Sequence, residues 1–553
     1  MMELLKSISR KEWKIVAVLS LFFIVLTIIP YLVGYFNAPQ NSMYDGLHAL
    51  SPGDIPIYYS YINQIKEGNF FPKNLFTSEP QNLGTFNVWW SLVGLVARIF
   101  NLSVIFVFQL SRLFMIPIFW IVAYLFLAYI FKNHKKRLVA LVFLAFSSGL
   151  GFYVAAPLDA LGVEGSDSYW WPIDLWLTEA NTFNALYQTS HFIASITLML
   201  LIFLIALLGW KKNKISYPIV AGFLSLFYFN FHPYYFPVIF GVLGLYLFYL
   251  MVKTNRFLWK KSWYLIVIFV LSLPSVFYHF YLIKNSHVIG QRAVQNVTNI
   301  SPPLFLFLGY GFLWIGFALG IFFLIKNKKF NLEYVFLFCW FIINIFLIYS
   351  PFPFHSRYTQ GLHVILVIFT VAGLFEFYYF LQQKISRPLF NFWIKNSTLA
   401  FILFLVCLAP STLYSYSRDL FFFINPNDTL KSQLFLPLDL VESFAWLKNQ
   451  PKGQVVLASD IPSKFIPGFS GQTVYIAHAH ETLFFYSKAV FLLWFFNDNN
   501  QDDLKHSWLT KNNIDYIVYS DYEKKLGNFD PASKDYLRLV FDLPSSKIYQ
   551  VIE

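Results

Sequence analysis

The sequence predicts a mainly α-helical, polytopic membrane protein: a bundle of about eleven spanning helices followed by a small outer α/β domain. Of its 553 residues, 57% are hydrophobic and only 13% are charged, whereas a soluble domain carries about 25% charged residues. Apolar runs of roughly 20 residues, the length that crosses a bilayer, recur through the first part of the chain. From residue 417 onward charges return, and no further run is long enough to span.

The predicted spans follow from the positions of these runs. They cover residues 15–34, 104–131, 138–157, 190–210, 215–231, 233–252, 262–282, 303–325, 332–350, 359–381 and 396–416. The apolar stretch 86–102 is shorter and carries Arg98, so we expect an interfacial or re-entrant helix there. The transmembrane domain then comprises residues 1–416, with a large first outer loop at 35–103.

Basic residues define the expected orientation of these spans. With the N-terminus in the cytoplasm, each cytoplasmic loop holds three or four Lys or Arg residues, and the outer loops hold far fewer. This is the distribution that the positive-inside rule requires. It also explains the net charge of +12 without nucleic acid. We therefore expect a multi-pass protein of the plasma (cytoplasmic) membrane, with an extracytoplasmic C-terminal domain.

The C-terminal domain, residues 417–553, alternates short β-rich runs with helical patterns. Strands are expected at Gln454–Ser459, Thr473–Ile476, Tyr516–Tyr519, Leu537–Phe541 and Lys547–Ile552. Helices are expected at Leu438–Lys448 and Asp502–Asn512, and the apolar stretch Phe484–Phe496 predicts a buried helix or one that rests on the membrane surface. About 130 residues is an ordinary size for one domain.

Chemically capable side chains gather on the outer side of the predicted topology. An ionisable group at membrane depth is costly and is a functional candidate by default. The candidates are Asp45, Asp54 and Glu79 in the first outer loop, Glu179 in the second, and His191, His232, His355 and Arg357 near the outer ends of later spans.

Asp54 is the leading catalytic candidate. It begins an amphipathic stretch that ends at Gly68, and it shares one helical face with Tyr58. Ser51 is the expected helix cap, which places Asp54 in the first turn, where the helix dipole favours an acid. The alternative is that Asp54 only stabilises the start of this helix. Asp45 is the second acidic candidate in the same loop.

Arg357 is the leading candidate for binding an anionic group. A guanidinium grips phosphate through paired hydrogen bonds, although Arg357 could instead extend to the headgroups from a helix end. Glu179 is either a ligand or an ordinary loop acid. His191 and His232 are either site residues or polar ends of spans.

No motif points to a cofactor. His478-Ala479-His480-Glu481 lacks the spacing of a HExxH zinc helix. The sequence has no GxxxxGK[ST], GxGxxG or GxSxG pattern, so neither ATP-driven transport nor serine hydrolysis has a basis in it. A divalent metal stays an open alternative that no motif supports, and no metal ligand is assigned.

Several segments resemble the GT-C superfamily of membrane glycosyltransferases. They are Gly53–Tyr59 with Gln64 and Gly68, Asn74–Pro80, Glu179–Phe183, Arg357 with Gly361 and His363, and His478 with Glu481 and Thr482. The layout is also similar, with a long first outer loop, many spans and an outer C-terminal domain. The oligosaccharyltransferase Trp-Trp-Asp and Asp-x-Asp motifs are missing, so neither a peptide acceptor nor metal dependence is carried over.

The resemblance implies transfer of a hexose or pentose from a polyprenyl-phosphate donor to an outer glycan, lipid or protein. Asp54 would be the catalytic base, and Arg357 would neutralise the departing phosphate. Glu179, His191, His232, Glu79, Tyr58 and His355 complete the predicted substrate-binding set. Membrane lipids are the other expected partners, and no oligomeric state is predicted. Two alternatives stay open: a transporter or flippase, with Arg112 and Asn344 as mid-span polar groups, and an envelope-polysaccharide polymerase or ligase.

Overall fold

The computed structural model describes residues 1–48, 53–160, 171–384, 406–426 and 428–552. These residues form two compact units. Unit 1 comprises residues 1–28, 112–277 and 297–418, and unit 2 comprises 29–111, 278–296 and 419–553. The division into domains at residues 416 and 417 stays a prediction.

Helices dominate the chain up to residue 384, as the composition predicts. They are α1 (Met2–Lys6), α2 (Arg10–Phe36), α3 (Ile55–Lys66), α4 (Val88–Ile99), α5 (Val104–Ile130), α6 (His134–Phe146), α7 (Gly151–Ala160), α8 (Thr182–Gln188), α9 (Ser190–Lys212), α10 (Ser216–Phe231), α11 (Phe236–Thr254), α12 (Trp259–Asn285), α13 (His287–Gln295), α14 (Pro303–Tyr310), α15 (Phe312–Lys326), α16 (Leu332–Ile348) and α17 (Leu362–Lys384). Short 3-10 turns lie at Ile173–Leu175, Pro233–Tyr235 and Ser356–Thr359.

Ten of the eleven predicted spans coincide with apolar helices of the described part of the chain. Seven of these are long and apolar enough to cross a membrane, and the bent pair α14–α15 provides an eighth candidate. The helices α10 and α16, of 16 and 17 residues, are shorter. Much of the eleventh predicted span, 396–416, lies outside the described residues. The stretch 86–102 contains the short apolar helix α4, and its interfacial or re-entrant position stays a prediction.

Two predicted spans are interrupted. The pair α14–α15 bends by 79° at Gly311, whose φ is +47°, a backbone conformation that glycine adopts at little cost. The span 138–157 breaks between α6 and α7, where Asp174 accepts hydrogen bonds from the backbone N–H groups of Gly149 and Gly151 at 3.0 and 3.2 Å. Uniform hydropathy along a run gives no sign of such breaks.

Small residues allow the helices α15 and α17 of unit 1 to pack closely. A Cβ at Gly320 of α15 would lie 2.2 Å from the carbonyl oxygen of Phe369 in α17, and one at Gly316 would lie 2.3 Å from Thr370 Oγ1. Glycine at such positions lets helix backbones approach within a membrane bundle.

Unit 2 carries the strands and the remaining helices. The helices after residue 406 are α18 (Pro410–Ile424, which begins in unit 1), α19 (Asp428–Leu434), α20 (Leu438–Lys448), α21 (Asp460–Phe469), α22 (Phe485–Asn497), α23 (Asp502–Lys511) and α24 (Asp521–Lys524). The strands are β1 (Ser42–Tyr44), β2 (Phe435–Pro437), β3 (Val455–Leu457), β4 (Thr473–Val474), β5 (Tyr516–Ser520), β6 (Leu537–Leu543) and β7 (Ser546–Val551).

Five strands form one mixed sheet in the order β4-β3-β5-β7-β6. The strand β3 pairs in parallel with β4 and β5, whereas β7 pairs antiparallel with β5 and β6. Buried Leu457 and Ile517 of this sheet pack with Phe495 and Phe496 of α22 and with Leu509 of α23. All five predicted strands and the three predicted helices of this region are present. Separately, β1 and β2 pair antiparallel, which joins residues 42–44 to residues 435–437.

Candidate functional site

The nine predicted site residues fall into two groups, one in each unit. Unit 2 contains Asp45, Asp54, Tyr58 and Glu79, and unit 1 contains Glu179, His191, His232, His355 and Arg357. Each group is described by itself.

Asp54 immediately precedes α3. The helix begins at Ile55, with Pro56 in its first turn, so Asp54 occupies the cap position and not the first turn that the sequence suggested. Its side chain accepts no capping hydrogen bond from the helix, and 51% of it is exposed. The proposed cap, Ser51, lies outside the described residues. Asp54 therefore does not stabilise this helix in the way that a capping carboxylate does.

Asp54 pairs with His478, which lies between β4 and α22. The two atoms Asp54 Oδ1 and His478 Nε2 are 3.2 Å apart, and only 11% of the histidine side chain is exposed. The backbone N–H of His480 donates to His478 Nδ1 at 3.2 Å. Because Nδ1 accepts, the neutral ring carries its hydrogen on Nε2 and donates it to Asp54. The pair thus presents a solvent-accessible carboxylate held by an ordered imidazole.

Thr482 fixes the turn that carries His478. Its Oγ1 accepts hydrogen bonds from the backbone N–H groups of Ala477 and His478, at 3.0 and 3.2 Å, and donates to the carbonyl of Phe76 at 2.6 Å. Among the described residues, no three His, Cys, Asp or Glu side chains are placed to hold a metal ion together. Three hydrogen bonds of the buried Thr482 hydroxyl thus help to hold the backbone of this turn in place.

A second ion pair lies next to the first and was not anticipated from the sequence. Arg292 Nε lies 3.1 Å from Glu481 Oε2, and Arg292 Nη1 donates to the Tyr61 hydroxyl at 3.0 Å. Burial raises the pKa of Glu481, the charge of Arg292 opposes that rise, and the nearby charge of Asp54 adds to it. Arg292 was not among the predicted site residues, because nothing in the sequence near α13 indicates contact with residues 54–61 and 478–482.

Asp45 differs sharply from Asp54. It is fully buried, and its Oδ1 accepts the backbone N–H of Leu47 at 2.9 Å. Its Oδ2 has no hydrogen-bond partner among the described residues. Burial raises the pKa of Asp45 well above its usual range, because the charged form loses its contact with water.

Tyr58 and Glu79 have partners of their own. The Tyr58 ring stacks on Trp90, with centroids 4.6 Å apart. Glu79 pairs with Lys488 at 2.7 Å and accepts a short hydrogen bond from Thr77. The structure therefore gives each of these two predicted residues a partner different from that of Asp54.

In unit 1 the structure brings Glu179 and Arg357 together. Arg357 Nη1 lies 2.5 Å from Glu179 Oε1; the carboxylate side chain is 1% exposed and the arginine side chain 24%. The second carboxylate oxygen of Glu179 has no hydrogen-bond partner among the described residues. A cavity of about 20 Å³ lies beside Glu179, which is room for about one water molecule.

Two of the predicted histidines belong to the same cluster. The Arg357 guanidinium lies 5.2 Å from the centroid of the Phe192 ring, which packs against His191 and His232 with centroids 4.2 and 5.7 Å away. His355 contributes differently, because its Nε2 bonds to the carbonyl of Ser350 at 2.8 Å. The cluster therefore unites four of the five predicted residues of unit 1.

Gln360 is a buried polar residue of this region that the sequence analysis missed. Its Nε2 donates to Ser195 Oγ and the Tyr228 hydroxyl at 2.9 and 3.0 Å, and its Oε1 accepts from the Tyr235 hydroxyl at 3.0 Å. A glutamine three residues after Arg357, at the entrance of a predicted span, is the signal that could have identified it.

The comparisons with known proteins give structural matches only. No protein-family model and no curated protein matches the sequence. The oligosaccharyltransferase AglB of Archaeoglobus fulgidus, in complex with an inhibitory peptide and a dolichol-phosphate, matches with a TM-score of 0.56 and 11% identity over 93% of this chain and 70% of its own. A further structure of the A. fulgidus oligosaccharyltransferase, tethered to an acceptor peptide, gives a TM-score of 0.52 and 12% identity over 90% of this chain and 69% of its own.

A mycobacterial protein shows the same likeness. The arabinofuranosyltransferase AftD matches with a TM-score of 0.56 and 11% identity over 99% of this chain and 40% of its own. These neighbours are glycosyltransferases of the GT-C superfamily. At such low identity the likeness concerns the fold, and it confirms the fold that the sequence predicts. The chain is a multi-pass membrane protein with the GT-C fold.

Proposed function

We propose that this protein is a membrane glycosyltransferase that moves a sugar from a polyprenyl-phosphate donor to a hydroxyl of an acceptor outside the plasma membrane. The observation that carries the proposal is the half-exposed Asp54 carboxylate, held by His478 at the start of the first outer helix of a GT-C fold. Its fold neighbours are membrane glycosyltransferases, and one of them was solved with a dolichol-phosphate.

The proposed reaction is a direct displacement at the anomeric carbon of the donor sugar. The acceptor oxygen forms the new bond as Asp54 takes its proton, and the lipid phosphate leaves with the electrons of the broken C–O bond. Asp54 suits the role of base because it is exposed and ordered. Asp45, the other acidic candidate, is fully buried, so an acceptor in solution does not reach it.

We assign the lipid phosphate to Arg357. Its bond to Glu179 uses one of the five N–H donors of the guanidinium, and part of the side chain is exposed. Buried Glu179 and the Phe192 ring would then hold the guanidinium in place for phosphate. The roles of Asp54 and Arg357 are independent assignments and are tested separately.

The transporter alternative receives less support. It requires polar residues that line a path at membrane depth, and Arg112 and Asn344 are the candidates. Arg112 donates to the carbonyl of Thr27 at 3.2 Å. The Asn344 amide donates to the carbonyls of Tyr358 and Gln360, both at 2.9 Å. These contacts are those of side chains that stabilise helix packing. A polysaccharide polymerase or ligase would use the same chemistry with a different acceptor.

The decisive experiment is Asp54→Asn. We expect transfer from a radiolabelled polyprenyl-phosphate sugar in detergent to fall by about 10²–10⁴-fold, the usual effect of losing a general base, because the amide cannot take the proton. Folding and donor binding should be retained, since asparagine is nearly isosteric.

The matched control is Asp460→Asn. Asp460 is also an exposed acid at the start of a helix of unit 2, and among the described residues its ion pair is with Lys464 of its own helix. The control should keep full activity. If Asp54→Asn also keeps most activity, Asp54 is not the base and Asp45 is tested next. If no donor is consumed by any variant or by the wild type, the glycosyltransferase proposal fails.

A further inference from the structure

Unit 2 contains a large cleft that is separate from the Asp54–His478 pair. Its volume is about 580 Å³, within the range of roughly 300–1,000 Å³ that is typical of ligand sites. It lies between the end of α3, the segment 69–81 and the strands β3 and β4. The residues that define its walls include Gln64, Glu67, Lys73, Gln81, Lys452 and Thr473. We refer to it as the polar cleft.

Two glutamines hold one wall of the polar cleft in a fixed shape. Gln64 accepts from the backbone N–H of Lys73 and donates to its carbonyl, both at 2.9 Å. Gln81 does the same for Asn74, at 2.9 and 2.6 Å. Two successive backbone units of an irregular segment are thus clamped by side chains. A wall ordered before a ligand arrives reduces the entropy cost of binding.

The acids of the polar cleft are neutralised in place. Glu67 lies 2.8 Å from Lys452 and 3.8 Å from Lys448, and Glu79 pairs with Lys488. Gly471, at a φ of +76°, leaves room for this arrangement, since a Cβ there would lie 3.1 Å from the Lys452 ammonium. The charged residues that line the cleft are two acids and two lysines, Lys73 and Lys452, so its walls offer many hydrogen-bonding groups with little net charge.

These features select a class of ligand. None of the described residues that line the cleft is aromatic, and only Leu75 and Val455 are aliphatic, so it does not suit a nucleobase or a lipid tail. A multiply charged anion could pair with Lys73, but it would have to displace Glu67 and Glu79 from the other lysines. An extended peptide could add to the edge strand β4, but Val474 already donates to the carbonyl of Leu75 at 2.9 Å. Hydroxyl groups, which both donate and accept, match the mixed amides, acids and ammonium groups.

We propose that the polar cleft binds a neutral saccharide chain, and that this chain is the acceptor of the transfer reaction. The assignment of this chain as the acceptor rests on the proposed function, whereas the binding of a saccharide does not. The saccharide would be held by hydrogen bonds to side chains on rigid walls and not by stacking on aromatic rings.

Saturation-transfer NMR on the full-length protein in detergent tests the binding directly. The probes are neutral trisaccharides (maltotriose, mannotriose and arabinotriose), trigalacturonate as a charged probe of the same length, and trialanine as a peptide probe. We expect at least one neutral trisaccharide to bind, unaffected by added salt, and the other two probes to give no signal. A signal only from trigalacturonate or trialanine, or none at all, overturns the proposal.

Two measurements locate the bound saccharide. Thr473→Trp fills the cleft and should weaken binding of the trisaccharide by at least about tenfold. The matched control is Thr510→Trp, at an exposed position of α23, which should leave binding unchanged. If the filled variant does not fold, a nitroxide at Lys73→Cys replaces it, with the exposed Cys407 changed to Ser. The label should broaden the signals of the bound trisaccharide, and the same label at Lys511→Cys should not. Equal effects at test and control positions overturn the location.

The variant Asp54→Asn separates this proposal from the proposed function. It should bind the trisaccharide normally while it transfers no sugar. Loss of trisaccharide binding with intact transfer in the Thr473→Trp variant would show that the cleft does not hold the acceptor. Normal binding in a protein that never consumes donor would remove the acceptor assignment and leave a saccharide-binding cleft.

Discussion

The ion pair between Glu179 and Arg357 allows a test that distinguishes a structural from a functional arginine. Glu179 is almost fully buried, and Arg357 is its nearest recorded charge, at 2.5 Å. Replacing Arg357 by Gln removes that charge and leaves the buried carboxylate without it. Replacing Glu179 by Gln leaves the arginine, which is partly exposed and retains its contact with Phe192.

The burial of the two partners sets different costs. Breaking a buried pair by removing one partner costs about 3–5 kcal/mol when the remaining charge is buried, so Arg357→Gln should approach this value. Glu179→Gln should cost less, about 1–3 kcal/mol, because water reaches the remaining guanidinium. The double variant removes both charges, and we expect a coupling energy of about 2 kcal/mol.

The four proteins of this double-mutant cycle would be compared by denaturant titration in detergent and by turnover of a radiolabelled donor. If Arg357 binds the donor phosphate, the double variant regains stability relative to Arg357→Gln but not turnover. Arg357→Lys should also lose turnover, because lysine keeps the charge without the paired hydrogen bonds. Recovery of turnover in the double variant, or unchanged turnover in Arg357→Lys, would refute the phosphate-binding role. Additivity within about 0.5 kcal/mol would refute the energetic coupling.

Three further predictions concern topology, pH and the loop that carries His478. A cysteine at exposed Ser533, in a chain with Cys407 changed to Ser, should react with an impermeant reagent on intact cells; protection until lysis would reverse the proposed orientation. Burial raises the pKa of Asp174 from its usual 3.8 to about 7, so between these two pH values the folded state binds a proton that the unfolded state has lost. The free energy of unfolding should therefore fall by up to about 4 kcal/mol as pH rises from 4 to 7, and then level off. Asp174→Asn should flatten this profile in thermal unfolding, and an unchanged slope would exclude Asp174 as its source. Thr482→Val should lower stability by about 1–3 kcal/mol and should also lower turnover, because the backbone of His478 loses its hydrogen bond to the Thr482 hydroxyl. Thr482→Ser keeps the hydroxyl and should be close to wild type in both measurements. Equal behaviour of the two variants would contradict this role of the hydroxyl.

The locations of most elements could be predicted from the sequence because they depend on local properties, whereas the orientation stays a prediction. The length of an apolar run sets whether a helix can span, and the charge next to it sets the expected side. In the C-terminal region, short β-rich runs between turn residues predicted all five strands of the main sheet. The bend at Gly311 and the break before Gly151 were missed, since hydropathy averages over a run.

The sequence selected the candidate sites only as a set of residue types in loops and at the ends of predicted spans. The sequence ranked Asp54 ahead of Asp45 but gave no measure of their burial, which makes the fully buried carboxyl of Asp45 the harder of the two to ionise. His478 was noticed as part of a failed zinc pattern, and its pairing with Asp54 depends on how β4 and α22 pack in unit 2. Arg292 and Gln360 were not selected at all.

By itself the sequence determined that the chain is a membrane protein with many spans and a small mixed α/β region, because hydrophobicity and periodicity are properties of single runs of about 20 residues or fewer. Only the tertiary structure decided which polar groups meet. Glu179 and Arg357 are separated by 178 residues along the chain, and nothing between them encodes their distance. Such contacts arise from the packing of whole helices and strands, where the cost of burying an unpaired charge selects the partner.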